Sequence, residues 1–472
     1  LVGPDALDGG GNEGNNRITG NDSDNVLYGW EGNDVLIGGG GADILMGGSG
    51  DDTYEVEPAD TVIEDPDAGI DTLRSGASVV LGDEIENLIL LGGDAVDGTG
   101  NALDNMLQGN DAANALTGGA GSDTLYGEGG NDRLTGGEGA DALVGGAGDD
   151  VYGVDDTADD VSELADAGTD TVEASITYVL GAEVENLTLI GDQTIDGTGN
   201  GRDNVLTSND AANVLAGNAG EDNLIGGAGD DILTGGTGMD ALRGGSGNDG
   251  YQYFQGDGVD VIDNAGGGQD TLYFSGGIGR SRLSFHRDGD DLVVLLDRDL
   301  GQQVRVSGHF LGGDAEIAAV QPSDGGPVLS AAEIATLLTP MPENGEEGNL
   351  PPPWTGGADI LIGTGGADVL LGGADNDSID GNGGNDLLRG GSGDDDYAFG
   401  SGRALIAEES GNDTLRFTNG ITFDSVASAL LRVGDDLVLA VDGGPDQITL
   451  GGFFRGGGEL VENIVFDAGG QL

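Results

Sequence analysis

The chain has no cysteine. A disulfide framework, thiol catalysis and a cysteine-ligated zinc site are therefore excluded. It has no lysine either: all 15 basic residues are arginine, against 87 acidic residues. The formal net charge of −72 excludes nucleic acid as a natural partner and sets the chain against anionic membrane surfaces, since both would repel it. Aromatic residues make up 4% of the chain, with Trp30 and Trp354 the sole tryptophans, too few for the platforms of a sugar-binding surface. No apolar run approaches the roughly 18 residues of a membrane-spanning helix, so membrane insertion is not expected. Leu1 opens the chain without a positively charged start or a cleavable signal, as expected of a fragment, a processed product, or a protein exported by another route.

Signs of catalysis are equally scarce. The only histidines, His286 and His309, lie in strand-like segments and read as ordinary packing or surface residues. HExxH and GxSxG are absent. Gly9, Gly11 and Gly14 match GxGxxG, but no strand-then-helix pattern surrounds them, and such matches arise by chance in a glycine-rich chain. We expect no enzyme.

Glycine and acid are what the chain has in excess: 98 glycines, and acids that recur with a fixed period. Twenty-two nonapeptides follow one rule, roughly Gly-Gly-x-Gly-x-Asp-x-(Leu/Ile)-x. They form four blocks in unbroken register, beginning at Gly11, Gly100, Gly199 and Trp354. Irregular acidic tails lack such order, which argues against a merely solvating function. A larger repeat lies above this one, with a period of about 99 residues: GIDTLRSGASVVLGDEIENLILLGG from Gly69 matches GTDTVEASITYVLGAEVENLTLIGD from Gly168. These inserts read as strands, and the sequence leaves open whether they continue the blocks or form small sheets between them. A third repeat links the regions after the last two blocks, where DTLYF at Asp270 matches DTLRF at Asp413. Both regions read as compact antiparallel β units, the first ending in a short helix capped by Ser330 and Glu333.

The nonapeptide spacing is a metal-binding spacing. A short strand around the Leu points that side chain inward, and the glycine-rich stretch before it reverses the chain. Two nonapeptides make one turn, so residues 18 apart lie one above the other. Stacked carboxylates repel unless a cation lies between them, and carboxylate plus peptide carbonyl oxygens select Ca²⁺ over softer metals and over Mg²⁺. The metal positions expected are Asp34, Asp43 and Asp52 in the first block, and Asp123, Asp132, Asp141 and Asp150 in the second. The third contributes Asp222, Asp231, Asp240 and Asp249, and the fourth Asp359, Asp368, Asp377, Asp386 and Asp395. They form eight Asp–Asp pairs 18 residues apart. Six further pairs place asparagine below aspartate, at Asn16, Asn25, Asn105, Asn114, Asn204 and Asn213, and a neutral oxygen makes these weaker metal positions. The count is about 14 Ca²⁺ sites. Each block ends with tyrosine at the apolar position (Tyr54, Tyr152, Tyr251, Tyr397), expected to cover an open core end with its hydroxyl in water.

With 22 units in register, the chain resembles the hemolysin-type, or repeats-in-toxin (RTX), calcium-binding proteins. The resemblance implies a parallel β-roll, calcium-dependent folding, and export of an unfolded chain through a type I secretion apparatus of a bacterium. It also implies that the motif aspartates and turn carbonyls are the Ca²⁺ ligands. The fold class expected is all-β: tandem parallel β-rolls, a calcium-binding β-solenoid, interspersed with small β modules. The β-rolls are placed at residues 1–55, 100–153, 199–252 and 354–398, the two related inserts at 56–99 and 154–198. β modules fill 253–338 and 399–472, and a Pro-rich linker lies at 339–353. The function expected is that of a secreted, extracellular or cell-surface calcium-binding structural protein that self-associates into a homo-oligomer or fibre. The alternative is the folding and secretion region of a larger exoenzyme or toxin.

Overall fold

The computed structural model describes residues 1–339 except 2, 4, 67, 165, 166 and 289. Beyond these it describes 360–362, 369–374, 376–383, 385–406, 412–418, 421–422, 426, 430–433, 436–441, 447–450, 461, 463–466 and 470–471. The expected linker lies, apart from Thr339, outside the described residues. Two compact units divide the chain, Leu1–Gln252 and Tyr253–Leu472.

The first unit is a parallel coil of short strands that alternate between two walls. The motif leucine explains it. In one wall Leu116, Leu134, Tyr152, Val172, Leu187, Leu206, Leu224 and Leu242 pair in direct succession. In the other Leu107, Leu125, Leu143 and Val161 do the same. The leucines among them are buried, most of them completely. One rung buries too little to stand alone, and stacking makes a continuous thin core. Between strands the chain reverses on the glycines. Gly119 and Gly121, at the second and fourth motif positions, take φ of 119° and 120°. At that second position Trp30, Glu128 and Asn218 also hold positive φ, at 84°, 76° and 84°, a strained state for residues with a Cβ.

Both inserts continue the coil, which settles what the sequence leaves open. Tyr54 pairs with Leu73, Leu73 with Leu88, and Leu88 with Leu107, so the hydrogen-bonded wall runs straight through the first insert. The opposite wall is interrupted there, ending at Thr61–Ile63 and resuming at Val79–Val80. The second insert repeats the pattern with the walls exchanged: the break falls between Asp160–Ser162 and Tyr178–Val179. The exchange follows from arithmetic. Thr61–Ile63 and Asp160–Ser162 are eleven strands apart, and an odd number moves equivalent features to the other wall.

Continuity also corrects the expectation for the tyrosines. Tyr54, Tyr152, Tyr251 and Tyr397 are buried, with at most 1% of their surface exposed. The hydroxyls of Tyr54 and Tyr152 are buried as well, because further rungs follow where a core end was expected.

In the second unit, the regions after the third and fourth blocks combine both strand senses. Leu283–Asp288, Asp291–Leu296 and Asp299–Val306 form an antiparallel meander, and Asp299–Val306 joins Val259–Ile262 in parallel. Leu430–Val433, Asp436–Ala440 and Gln447–Leu450 repeat this, the last strand pairing in parallel with Arg403–Ile406. The expected purely antiparallel units are thus hairpin extensions of parallel strands. Ser330 and Glu333 form the expected capping box of the helix Ala331–Leu337. His286 and His309 are both buried. His286 Nε2 lies 2.9 Å from Ser284 Oγ, and His309 Nδ1 accepts a hydrogen bond from the Ile317 amide at 3.2 Å.

Candidate metal centres

Each motif aspartate sits at the end of a turn, just before its leucine. Its two carboxylate oxygens do different things. Oδ1 accepts a hydrogen bond from the backbone N–H of the motif residue one layer below. Asn16 donates to Asp34 at 2.6 Å, Asp34 to Asp52 at 2.6 Å, Asn25 to Asp43 at 2.6 Å. The second block gives 2.7 Å for Asn105 to Asp123, Asn114 to Asp132, Asp123 to Asp141 and Asp132 to Asp150. The third gives 2.9 Å for Asp222 to Asp240 and 3.0 Å for Asp231 to Asp249. In the fourth, Asp377 donates to Asp395 at 2.7 Å. The expected 18-residue stacking is therefore present as a hydrogen-bonded ladder. Asp359 and Asp368 lie outside the described residues, as does the side chain of Asp386.

Oδ2 points elsewhere. In Asp34, Asp43, Asp52, Asp123, Asp132, Asp141, Asp150, Asp222, Asp231 and Asp395 it is buried and has no hydrogen-bond partner. A buried carboxylate oxygen left this way costs free energy comparable to a lost charged hydrogen bond. The titration of these groups reflects it. Burial pushes Asp132 up to about 6. Burial, reinforced by the charge of Asp141, does the same to Asp123. Burial and neighbouring carboxylates push Asp222 and Asp231 up to about 7.

The surroundings of Oδ2 are oxygen-rich. A Cβ added to Gly118 would collide with Asp123 Oδ2 and lie 2.6 Å from the Gly136 carbonyl oxygen. Gly127 stands in the same relation to Asp132 and the Gly145 carbonyl, and Gly217 to Asp222 and the Gly235 carbonyl. The first glycine of the motif is thus required because its missing side chain leaves room where a carboxylate and a peptide carbonyl converge. That donor set fits a hard divalent cation such as Ca²⁺, which would supply the positive charge that the buried carboxylates lack.

The asparagine positions are built differently. Oδ1 of Asn16, Asn25, Asn105, Asn114 and Asn204 accepts from the amide four residues earlier, at 2.7 or 2.8 Å. Where an insert precedes, Nδ2 donates backward. Asn105 reaches the carbonyls of Ile85 at 3.2 Å and Glu86 at 3.1 Å, and Asn204 those of Val184 at 3.3 Å and Glu185 at 3.2 Å. Asn114 and Asn213 donate to Val96 and Ile195. The layer below presents carbonyls here rather than N–H groups, and an amide can answer a carbonyl where a carboxylate cannot. Asn213 departs in one respect: its Oδ1 is buried and unpartnered, in the repeat where Ser208 replaces the first glycine.

The ladder extends past the motif into the inserts. The Asp52 amide donates to Asp71 at 2.7 Å, and the Asp71 amide to Glu86 at 2.7 Å. The Asp150 amide donates to Asp170 at 2.8 Å, and the Asp170 amide to Glu185 at 2.9 Å. Sequence reasoning missed these residues. A signal was there: Gly69-Ile70-Asp71-Thr72-Leu73 and Gly168-Thr169-Asp170-Thr171-Val172 keep the Gly-x-Asp-x-apolar end of the motif after its first two glycines are lost.

A stacked parallel coil whose turns hold buried carboxylates beside backbone carbonyls is a calcium-binding β-roll. The comparisons give it a family. The RTX calcium-binding nonapeptide repeat, in runs of four copies, matches residues 10–45, 31–54, 99–134, 117–152, 198–233, 216–251, 355–388 and 375–406. The chain carries these RTX calcium-binding repeats in four stretches, 10–54, 99–152, 198–251 and 355–406. Repeats of this kind typify secreted bacterial proteins, and among the described residues no helix is long and apolar enough to cross a membrane. The crystal structure of the extracellular lipase LipA from Serratia marcescens aligns at 16% identity with a TM-score of 0.18, over 60% of this chain and 42% of the lipase. This chain thus spans less than half of that protein's length. No curated protein matches the chain.

Proposed function

We propose that this chain is a non-enzymatic extracellular structural protein whose coil folds when Ca²⁺ binds after secretion, and which self-associates into a surface layer, matrix, adhesin or filament. The observation that carries the calcium dependence is the row of buried, unpartnered Oδ2 atoms: without a cation the coil holds uncompensated charge at successive motif reversals, nine residues apart. The proposed ligands are the motif aspartates from Asp34 to Asp395 with the adjacent glycine carbonyls. The asparagines are the weak positions, since most of their oxygens already accept a hydrogen bond. An unfolded, calcium-free chain also suits passage through a type I secretion apparatus.

The structural function is supported by the build of the first unit. Its roughly 14 turns, at about 4.8 Å each, make a stack on the order of 65 Å long. The two wall breaks present strand edges flanked by exposed apolar side chains, Ile63, Ile70 and Val80 at one and Leu164 and Val179 at the other. Such edges can pair with a second copy. Electron microscopy and sedimentation of the native protein, with calcium and after chelation, test this. Ordered polymers that dissolve in chelator are the expected result. A calcium-loaded monomer joined to a catalytic domain would replace this reading with that of an exoenzyme's folding region.

A further inference from the structure

The last rung of the first two blocks departs from the motif's own site. In most interior rungs the first glycine faces its aspartate or asparagine side-chain oxygen and a glycine carbonyl 18 residues on, as Gly29 faces Asp34 and Gly47. At Gly47 and Gly145 the nearest oxygens are those of carboxylates and a tyrosine hydroxyl instead, and the following turn has lost its first two glycines. Gly47 faces Asp52 Oδ2 and the Tyr54 hydroxyl, and Gly145 faces Asp150 Oδ2, the Tyr152 hydroxyl and Glu163 Oε1. The next carboxylate of the ladder comes 19 residues after Asp52 and 20 after Asp150, and the lengthened connection brings in a glutamate. Carboxylate oxygens of Asp52, Glu64 and Asp71 lie within 4.8 Å of one another, as do those of Asp150, Glu163 and Asp170.

Three like charges at such distances repel strongly, and the protein does not neutralise them. Oδ2 of Asp52 and Asp150, both oxygens of Glu64 and Oε1 of Glu163 are buried without a hydrogen-bond partner. The hydroxyls of Tyr54 and Tyr152 are equally buried and unpartnered, on side chains with no exposed surface, and they point to the same place. Two positions 98 to 99 residues apart, on opposite sides of the coil, have kept this unusual constellation.

We propose that each insert builds a second kind of calcium site, in which Asp52, Glu64 and Asp71, and again Asp150, Glu163 and Asp170, hold one Ca²⁺ beside the hydroxyl of Tyr54 or Tyr152. The glutamate replaces the glycine carbonyl of an interior rung. With three carboxylates in place of two, these sites bind more tightly than the interior ones and fill first, since charge count sets Ca²⁺ affinity. They close the ladder where the repeat ends and fix the insert to the coil.

The test uses the full chain, bound-calcium counting by equilibrium dialysis, and Tb³⁺ luminescence excited through tyrosine. The choice of ion rests on the calcium reading of the repeats, so Asp132→Asn serves as a separate arm: it should lower the count while leaving the earliest Tb³⁺ signal intact. The Glu64→Gln/Glu163→Gln double variant should bind two fewer Ca²⁺ and lose most of the tyrosine-sensitised Tb³⁺ emission at low Tb³⁺. An unchanged count and unchanged early emission would overturn the proposal, even if Asp132→Asn behaves as expected. Should the double variant fail to fold in saturating calcium, Tyr54→Phe/Tyr152→Phe decides. It keeps the buried rings, and it should diminish the early emission severalfold; unaltered emission and Tb³⁺ affinity would overturn the proposal.

Discussion

Asp132→Asn separates the two functions of a motif carboxylate. Asn114 donates its amide to Asp132 Oδ1 at 2.7 Å, and the carboxamide oxygen can keep that bond. The other oxygen, buried and unpartnered beside Gly127, becomes an NH₂ group that cannot bind a cation. At free calcium about ten times Kd, one lost site removes about 1.4 kcal/mol of stability. Asp132 belongs to two stacked pairs, with Asn114 and with Asp150, so the loss in calcium lies between about 1.4 and about 2.8 kcal/mol. In chelator the sign reverses. Burial already pushes the Asp132 carboxyl up to about 6, so the ionised group opposes the calcium-free coil, and the neutral amide removes that opposition. Urea unfolding followed by circular dichroism, in saturating calcium and in chelator, reads both. Hydrogen exchange at the Asn114 amide localises the effect, which matters because long repeat arrays depart from two-state behaviour. Equal destabilisation with and without calcium would refute the reasoning and make Asp132 a purely structural hydrogen-bond acceptor.

Three further outcomes follow from the same geometry. Acid should substitute in part for calcium. The carboxyls of Asp123, Asp132, Asp222 and Asp231 sit at about 6 to 7 in the coil, above their ordinary 3.8, so protonation stabilises the folded form. That stability is complete below the unfolded value and is lost as pH rises through 6 to 7; chelated protein should gain β signal between pH 7.5 and 5, and the calcium concentration needed for half-folding should fall over the same range. Gly127→Ala places a Cβ against Asp132 Oδ2 and 2.6 Å from the Gly145 carbonyl, while Gly127's φ lies outside the left-handed region, so the effect is steric. We expect a loss of about 1–3 kcal/mol in calcium and one fewer bound ion, by calorimetry and dialysis. Asn105→Asp sets a carboxylate against the carbonyls of Ile85 and Glu86, so it should destabilise by about 1–3 kcal/mol and bind no extra calcium. A gain in stability and stoichiometry would show that the asparagine rungs are ordinary metal positions.

The period of nine made the coil legible, because glycine, acid and leucine each have one place in it. Leu107 over Leu125 and Asp123 over Asp141 follow from the spacing alone. The inserts were harder. Asp71 and Glu86 stand at the ladder position, but the turns before them carry no Gly-x-Gly, so the pattern that marks a rung is gone while the rung persists. The tyrosines misled for a related reason: a large residue at the end of a block suggests a lid only if the block ends the core. The asparagines' hydrogen bonding depends on which backbone group the layer below presents, N–H or C=O, and no local composition encodes that.

The direction of the ladder gives the proposed link between calcium and folding a physical basis throughout the coil. Each Oδ1 is held by the amide of the layer below, so adding a layer fixes the carboxylate orientation of that layer before its own amide is used. The run Asn16–Asp34–Asp52–Asp71–Glu86, repeated as Asn114–Asp132–Asp150–Asp170–Glu185, starts with a neutral amide and accumulates charge with every step. Coulomb repulsion between fixed, buried carboxylates therefore grows along the run, and the orphaned Oδ2 atoms can relieve it only through a cation or a proton. An asparagine at the start costs little because one layer carries no stacked charge beneath it. The need for compensation is greatest at the far end, where Glu64 and Glu163 add a third acid to the stack. On the proposed reading, folding is bounded by how much cation is available per layer, and removal of the ion should unravel the acidic end of each run before its asparagine end.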